Sequence, residues 1–293
     1  MTKVEMIYPQ GYCAGVRNAI SIAKESKKLY PDKQIYILGF LVHNKIVINT
    51  LTKMGITTID CPASEYENTL KSLPEGSVII FPAHGHDEKY NKLANDRNLV
   101  ILDAVCFKVK QNAQIIKDYI KDSHQVIYIG IKNHPETTAC LSIDKNVVLF
   151  DIHEEFDFNQ IRDESPLVIN QTTLNFLELC NIHELIKKHF AKAVIQDEIC
   201  NSTRKRQEAI VNLPNDVDLI VIVGDKASSN TNRLLEIAKS SHPSADAFLI
   251  SDVGELDKSL IINKKHIAIS SGASTPTETI NMVFEEIVNS FAK

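Results

Sequence analysis

One unit recurs along the whole chain. A short run rich in Ile and Val ends in a polar tip, and a stretch of helical period follows. Nine segments fit the run and tip: "VEMIYPQGYC", "IYILGFLVHN", "VIIFPAHGHD", "VILDAVC", "VIYIGIKNHPE", "LVINQTTLN", "VIQDEIC", "LIVIVGDKASSN" and "IAISSGAST". Helical patterns follow most of them, among them "NKIVINTLTKMG", "TLNFLELCNIHELIKKHF", "NTNRLLEIAKSS" and "TPTETINMVFEEIVNS". Alternating strands and helices imply an α/β fold of mainly parallel sheets with helices on both faces. Ligands in such sheets sit beyond the carboxyl ends of the strands, where these tips fall.

The tips group in threes. Cys13, Cys106 and Cys200 end three of them, at separations of 93 and 94 residues. His43 and His84 precede Cys106, and His134 and Thr172 precede Cys200. Ser228 and Ser274 come last, so their set is completed only by returning to Cys13. This spacing predicts three small pseudo-symmetric α/β domains around a central site, at residues 1–106, 107–200 and 201–293. Residues 1–13 are expected to associate with the third.

Composition narrows the function classes. The 293 residues are 44% hydrophobic, enough for a sizeable core, and carry a net charge of −5. That balance argues against a bulk nucleic-acid or membrane surface. The short basic run Arg204, Lys205, Arg206 reads as a solvated helix face. "MTKVEMIYP" has no apolar signal region, and no apolar run approaches the roughly 20 residues that span a bilayer. A soluble, cytoplasmic protein is expected. Six cysteines in such a chain are reduced thiols, metal ligands or core residues rather than a disulfide scaffold.

Each tip cysteine stands where a helix is expected to begin. Free N–H groups and partial positive charge there favour thiolate. Converging thiolates would select zinc or an iron–sulfur cluster. Structural zinc generally takes four ligands, often from CxxC pairs, and no CxxC occurs. Three distant single cysteines suit a [4Fe–4S] cluster with one iron left open. Three small buried hydrophobes are the competing reading, and position alone leaves both open. Cys180 reads as packed on an apolar helix face. Cys61 ends a short strand before a Pro, and Cys140 sits in an apparent helix start; neither reads as a ligand.

The remaining tips are rich in hydrogen-bonding groups. His43, His84 and His134 with Ser228, Ser229, Asn230 and Ser274 would suit an anion, especially phosphate, at converging helix N-termini. Ordinary N-cap chemistry explains each Ser and Asn singly. Glu136, beside His134, would have its pKa raised in a desolvated pocket and is a plausible acid, with Thr172 or Thr173 as relay. His86 and Asp87 neighbour His84 without a role.

In order along nearly the whole chain, these segments resemble the 4-hydroxy-3-methylbut-2-enyl diphosphate reductase family. "GYCAGVRNAI" is similar to its G-F/Y-C-x-G-V opening, "GFLVHNKIV" to its V-H-N tip and "PAHGHD" to its A-H-G. "HPE", "QTTL", "ICNSTRKRQ", "SSNTNRL" and "GASTP" follow in order. The resemblance implies three α/β domains around a [4Fe–4S] cluster held by Cys13, Cys106 and Cys200, with one iron lacking a protein ligand. It implies that His43, His84, Ser228, Asn230 and Ser274 bind the diphosphate, with Ser229 close by. His134 would bind substrate and help deliver protons. Glu136 would supply them, and Thr172 would link it to the substrate hydroxyl. Three departures stand out. The family's D-A-T-C-P is "DAVCFKV" here, V-x-G-T after "HPE" is "TTACLS", and Asn18 replaces a common basic residue.

The implied reaction removes the allylic hydroxyl of the diphosphate substrate as water, giving isopentenyl and dimethylallyl diphosphate. A ferredoxin or flavodoxin would deliver the electrons, since no nicotinamide or flavin motif occurs. Two rivals carry other predictions. A three-domain [4Fe–4S] dehydratase of the quinolinate-synthase kind needs no external electrons. A non-enzymatic cluster-binding redox sensor would not bind an allylic diphosphate.

Overall fold

The structure is a computed structural model that describes residues 2–196 and 199–291. Asp197 and Glu198, in the expected "VIQDEIC" strand end, lie outside the described residues. Strand β1 (Lys3–Met6) leads to α1 (Ala14–Leu29). Then come β2 (Ile35–Leu38), α2 (Lys45–Lys53), β3 (Ile56–Ile59), α3 (Tyr66–Ser72), β4 (Val78–Phe81), α4 (Lys89–Asp96) and β5 (Val100–Asp103). The middle third holds α5 (Phe107–Lys121), β6 (Val126–Gly130), α6 (Pro135–Leu141), β7 (Val147–Asp151), β8 (Leu167–Asn170), α7 (Phe176–His189) and β9 (Val194–Gln196). The last holds α8 (Asn201–Val211), β10 (Leu219–Val223), α9 (Ser229–Ser241), β11 (Asp246–Ile250), β12 (His266–Ser271) and α10 (Thr277–Asn289).

These strands form three four-stranded sheets, ordered β3-β2-β4-β5, β7-β6-β8-β9 and β11-β10-β12-β1. Every pairing is parallel. The N-terminal strand closes the last sheet, with Lys3 to Met6 in register with His266 to Ile269. The three sheets share one strand order: an edge strand, two central strands and a strand that precedes a cysteine. The chain leaves β2 toward β3 and returns on the other side as β4. That reversal makes a crevice between β2 and β4. Equivalent reversals lie between β6 and β8 and between β10 and β12.

The central strands are apolar because helices cover both faces. In β4 alternate residues divide between two cores. Val78 and Ile80 pack with Val47 and Leu51 of α2. Ile79 and Phe81 pack with Leu70 of α3 and Tyr90 of α4. All four strand residues are fully buried, each contributing about 1.5–3 kcal/mol of burial free energy. Three strands fall outside the nine-unit pattern: β3, β7 and β11. All three lie at sheet edges, and β3 is the short strand that ends before Cys61. Among the described residues, no helix is long and apolar enough to cross a membrane.

Candidate functional site

Cys13, Cys106 and Cys200 are the N-caps of α1, α5 and α8. Their backbone settings repeat. The N–H of Cys13 donates to Ala273 O (3.1 Å), that of Cys106 to Ala83 O (2.9 Å) and that of Cys200 to Thr172 O (3.0 Å). Each acceptor lies at the tip of the neighbouring central strand, so the same bond ties each cysteine to its sheet. All three thiols line one cavity of about 140 Å³. The cavity also receives His43, His84, His134, Glu136, Thr172, Ser228, Ser229, Asn230 and Ser274. Every candidate residue read from the sequence therefore lines the same space, which sits where the three sheet crevices meet.

Among the described residues, no three His, Cys, Asp or Glu groups are set to hold one metal ion. A cluster with ligands at separate corners accepts wider spacing. Gly15 shows how closely the space around the thiols is filled: a Cβ there would lie 2.7 Å from Cys106 Sγ and 3.9 Å from Cys13 Sγ. Three sulfur donors, with no fourth protein ligand beside them among the described residues, fit an iron–sulfur group better than structural zinc. The thiolate expected at a helix N-terminus does not hold for Cys106. Burial raises its thiol, the charges of Cys13 and Cys200 add to that, and the N–H groups of Lys108 and Val109 offset only part. Desolvation outweighs the helix end until a metal takes the proton's place.

Opposite the thiols the groups are polar but electrically quiet. The His43 and His84 rings stack at 5.0 Å. Burial holds His43 below the usual histidine range, although Asp225 pulls the other way. His84 is pushed well below by burial and by its neighbours His43 and His134. His134 is lowered to about 4, again chiefly by burial. His134 also caps α6, its Nδ1 accepting from Glu136 N at 3.2 Å. That bond leaves Nε2 to carry the ring proton. His43 Nδ1 and both amide atoms of Asn230 are buried with no protein partner. Buried polar groups are nearly always bonded, so such groups point to a ligand. Ser228 caps α9, and Ser229 and Asn230 supply its first turn, whose N–H groups attract anions. Ser274 Oγ donates to His43 O (3.1 Å), tying the third sheet's tip to the first's.

Among the described residues Glu136 is the one carboxylate that lines the cavity, and it is 2% exposed. Its Oε1 accepts from Thr172 N (2.9 Å) and more weakly from Tyr128 Oη (3.4 Å). Its Oε2 accepts from Thr172 Oγ1 (2.8 Å). Burial raises the carboxyl to about 7 against those three donors. Glu136 can thus exchange a proton near neutral pH through Thr172.

Two residues of this site carry more than the sequence reading assigned. Arg206 is not on a solvated face; it is 2% exposed. Its Nη2 donates to Gly11 O (2.7 Å) and its Nη1 to Ser202 O (2.9 Å), which puts a guanidinium behind Cys13 and Cys200. Charge runs are usually solvated, and only the helical period of Thr203, Arg206, Gln207 and Ile210 pointed inward. Thr173, rather than Thr172, is the positional equivalent of His84 and Ser274, since each follows the carbonyl that holds a cysteine. It lines the cavity, accepts from Gln171 Nε2 (3.0 Å) and lies 3.2 Å from Ser229 Oγ. Cys180 is exposed, not packed in a core, and Cys140 lies buried at the end of α6, not at its start. Neither lines this cavity, nor does Cys61.

Fold and site together define a three-lobed α/β protein whose sheet crevices meet at a trio of thiols. The chain matches the family described as LytB protein over residues 4–288 and belongs to it. It is 36% identical to the 4-hydroxy-3-methylbut-2-enyl diphosphate reductase of Malacoplasma penetrans, over 96% of this chain and 95% of that protein. The protein of the same name from Anoxybacillus flavithermus is 34% identical, over 97% and 89%. Among solved structures, the E-1-hydroxy-2-methyl-but-2-enyl-4-diphosphate reductase of Plasmodium falciparum superposes with a TM-score of 0.86 at 26% identity, covering 100% of this chain and 88% of the other. A second, (E)-4-hydroxy-3-methyl-but-2-enyl diphosphate reductase, described as the terminal enzyme of the non-mevalonate pathway, gives 0.67 at 27%, covering 99% of each.

Proposed function

We propose that this chain is a 4-hydroxy-3-methylbut-2-enyl diphosphate reductase. The reaction takes up two electrons and two protons, expels the allylic hydroxyl as water and yields isopentenyl and dimethylallyl diphosphate. One observation carries the reading: three unlinked thiols share a cavity with a buried, proton-exchanging Glu136 and with unpartnered polar groups suited to an anion. A [4Fe–4S] cluster on Cys13, Cys106 and Cys200, with one iron free of protein ligands, would supply the electrons and a Lewis-acid site.

The chain's own residues do the rest. His43, His84, Ser228, Ser229, Asn230 and Ser274 hold the diphosphate. Its charge is met by helix N–H groups and neutral donors, and binding fixes the allylic end in position. His134 donates from Nε2 and orients the substrate. Glu136 is the acid. When it is protonated, its Oε2–H turns the Thr172 bond around, and the Thr172 hydroxyl proton is released toward the substrate oxygen. Hydroxide leaves poorly without such a proton. The second proton goes to either end of the allylic unit, which accounts for two products. Electrons come from a ferredoxin or flavodoxin. The cytoplasm is the compartment, in keeping with free cysteines and no disulfide among the described residues.

The test is anaerobic purification, iron and sulfide counts, and an assay with reduced viologen and the allylic diphosphate. About four irons per chain and viologen-dependent formation of both products are expected. Turnover without a reductant favours the dehydratase, and a cluster protein that ignores the diphosphate favours the sensor.

A further inference from the structure

Tyr128 is the polar exception in an apolar wall. It lies on β6, fully buried among Ile116, Val126, Val147, Leu167 and Ile169. Phenylalanine would fill that place without burying a hydroxyl, which costs free energy unless it is bonded. Gly130 makes room for the ring, since a Cβ there would lie 2.9 Å from Tyr128 Cε1. The hydroxyl has two polar neighbours. It donates to Glu136 Oε1 at 3.4 Å, and the other neighbour is the Cys140 thiol. Sulfur is a weak acceptor, so the phenol hydrogen goes to the carboxyl group.

The two oxygens of Glu136 are therefore unlike. Oε1 faces two donors, the Thr172 N–H (2.9 Å) and the Tyr128 hydroxyl. The amide cannot accept, and the phenol has no better place for its hydrogen. Oε2 faces the Thr172 hydroxyl (2.8 Å), which can donate or accept. A proton on Oε1 would set its O–H against two donor hydrogens. A proton on Oε2 keeps all three bonds and points at Thr172.

We propose that Tyr128 is a positioning residue for the acid, its hydroxyl keeping the proton of Glu136 on the oxygen that faces Thr172. The proposal deepens, and rests on, the reading of Glu136 as the acid of a reductase. Tyr128 does not line the cavity, so it acts through Glu136. Its bond also favours the charged carboxylate, against the burial that raises Glu136. The other titratable groups about Glu136 are Cys140 on its own helix and His134 at that helix's cap. Across the cavity stand His43, His84, Lys108 and the three cysteines. Burial keeps His134 neutral, Cys140 a thiol and Tyr128 a phenol near pH 7, so none of these three titrates with the acid.

The test compares Tyr128→Phe, which removes the donor, with replacement of Tyr128 by 3-fluorotyrosine, a stronger donor. Infrared difference spectra of the reconstituted enzyme across pH show the carbonyl band of protonated Glu136, identified by its loss in Glu136→Gln. That carbonyl is Oε1. Its band should move to higher frequency in Tyr128→Phe and to lower frequency with fluorotyrosine. The Glu136 midpoint, about 7 in the parent, should rise in Tyr128→Phe and fall with fluorotyrosine. The bond is long, so the rise should be no more than about one pH unit. The high-pH limb of turnover should follow. Iron content and the KM for the diphosphate should hold, so that the loss falls on kcat. A purely structural role has the opposite sign: loosened packing admits water and lowers the Glu136 midpoint in Tyr128→Phe. Such a downward shift overturns the proposal, as do a band and midpoint that move in neither variant. If Tyr128→Phe does not fold, the fluorotyrosine shift alone decides. The infrared titration needs no substrate. Absence of viologen-driven turnover in the unaltered chain would instead count against the reductase reading.

Discussion

At the starts of α1, α5 and α8 the chain does one thing three times: a cysteine cap, an N–H bond to the neighbouring strand tip and a basic residue one turn on. At the sheet crevices, by contrast, the equivalent positions have diverged. The caps of α2, α6 and α9 are Asn44, His134 and Ser228. The residues after the cysteine-binding carbonyls are His84, Thr173 and Ser274. Among the described residues, only the middle lobe lines the cavity with a carboxylate, Glu136. An inorganic cluster would present like corners to each lobe, so like residues would serve. An allylic diphosphate has a charged end and a reacting end, so the lobes must differ where they meet it.

The sharpest way to break this comparison is to alter one of the three like corners. Cys106→Ser should lower bound iron to near zero and turnover by at least about a hundredfold, more than loss of an outer-shell partner costs a metal site. Cys13→Ser and Cys200→Ser should do the same. Iron counts after anaerobic reconstitution check this, and a full complement in any one variant removes that cysteine from the ligand set.

The diverged corners should respond unequally. Glu136→Gln should keep its iron yet slow turnover about 10²–10⁴-fold. In the parent enzyme turnover should fall as pH rises through about 7, where Glu136 loses its proton, and the variant should lack that limb. Unaltered rates would take the acid role from Glu136. Stability carries a matching sign. The folded carboxyl titrates near 7 and the unfolded one near 4.5, so its stabilising effect is full below 4.5 and is lost as pH rises through 7. The loss is on the order of 3 kcal/mol. Relative to the parent, Glu136→Gln should therefore gain stability between pH 5 and 8, as read by urea unfolding at both.

Smaller effects follow behind the cysteines and at the anion end. Arg206→Met should cost about 2–3 kcal/mol, because Gly11 O loses a buried, charge-assisted partner. Denaturant midpoints measure it. His43 and His84 are neutral in the free protein, and a bound anion favours their protonated forms. Inorganic pyrophosphate should thus bind with uptake of a fraction of a proton, more tightly as pH falls. Calorimetry in two buffers of different ionisation enthalpy detects it.

Much of the fold was legible because apolar runs of strand length and helical periods are local properties. Three of the edge strands were less so. "VVLFD" and "DAFLI" end in no chemical tip, so little marks them as units of the pattern. The site's membership was legible because tips of parallel strands share one end of a sheet. Arg206 was not, since a basic run is solvated unless a buried carbonyl such as Gly11 O receives it.

By itself the sequence determined the alternation of strand and helix, the threefold recurrence of a cysteine at a strand-to-helix junction and the polar character of the tips between. Each is a matter of residue type and spacing along a line. Only the tertiary structure decided that the three thiols share one cavity and that Glu136 lies dry against Thr172 with its pKa near 7. Desolvation depends on what the rest of the chain places around a group, and that is settled only when distant segments pack.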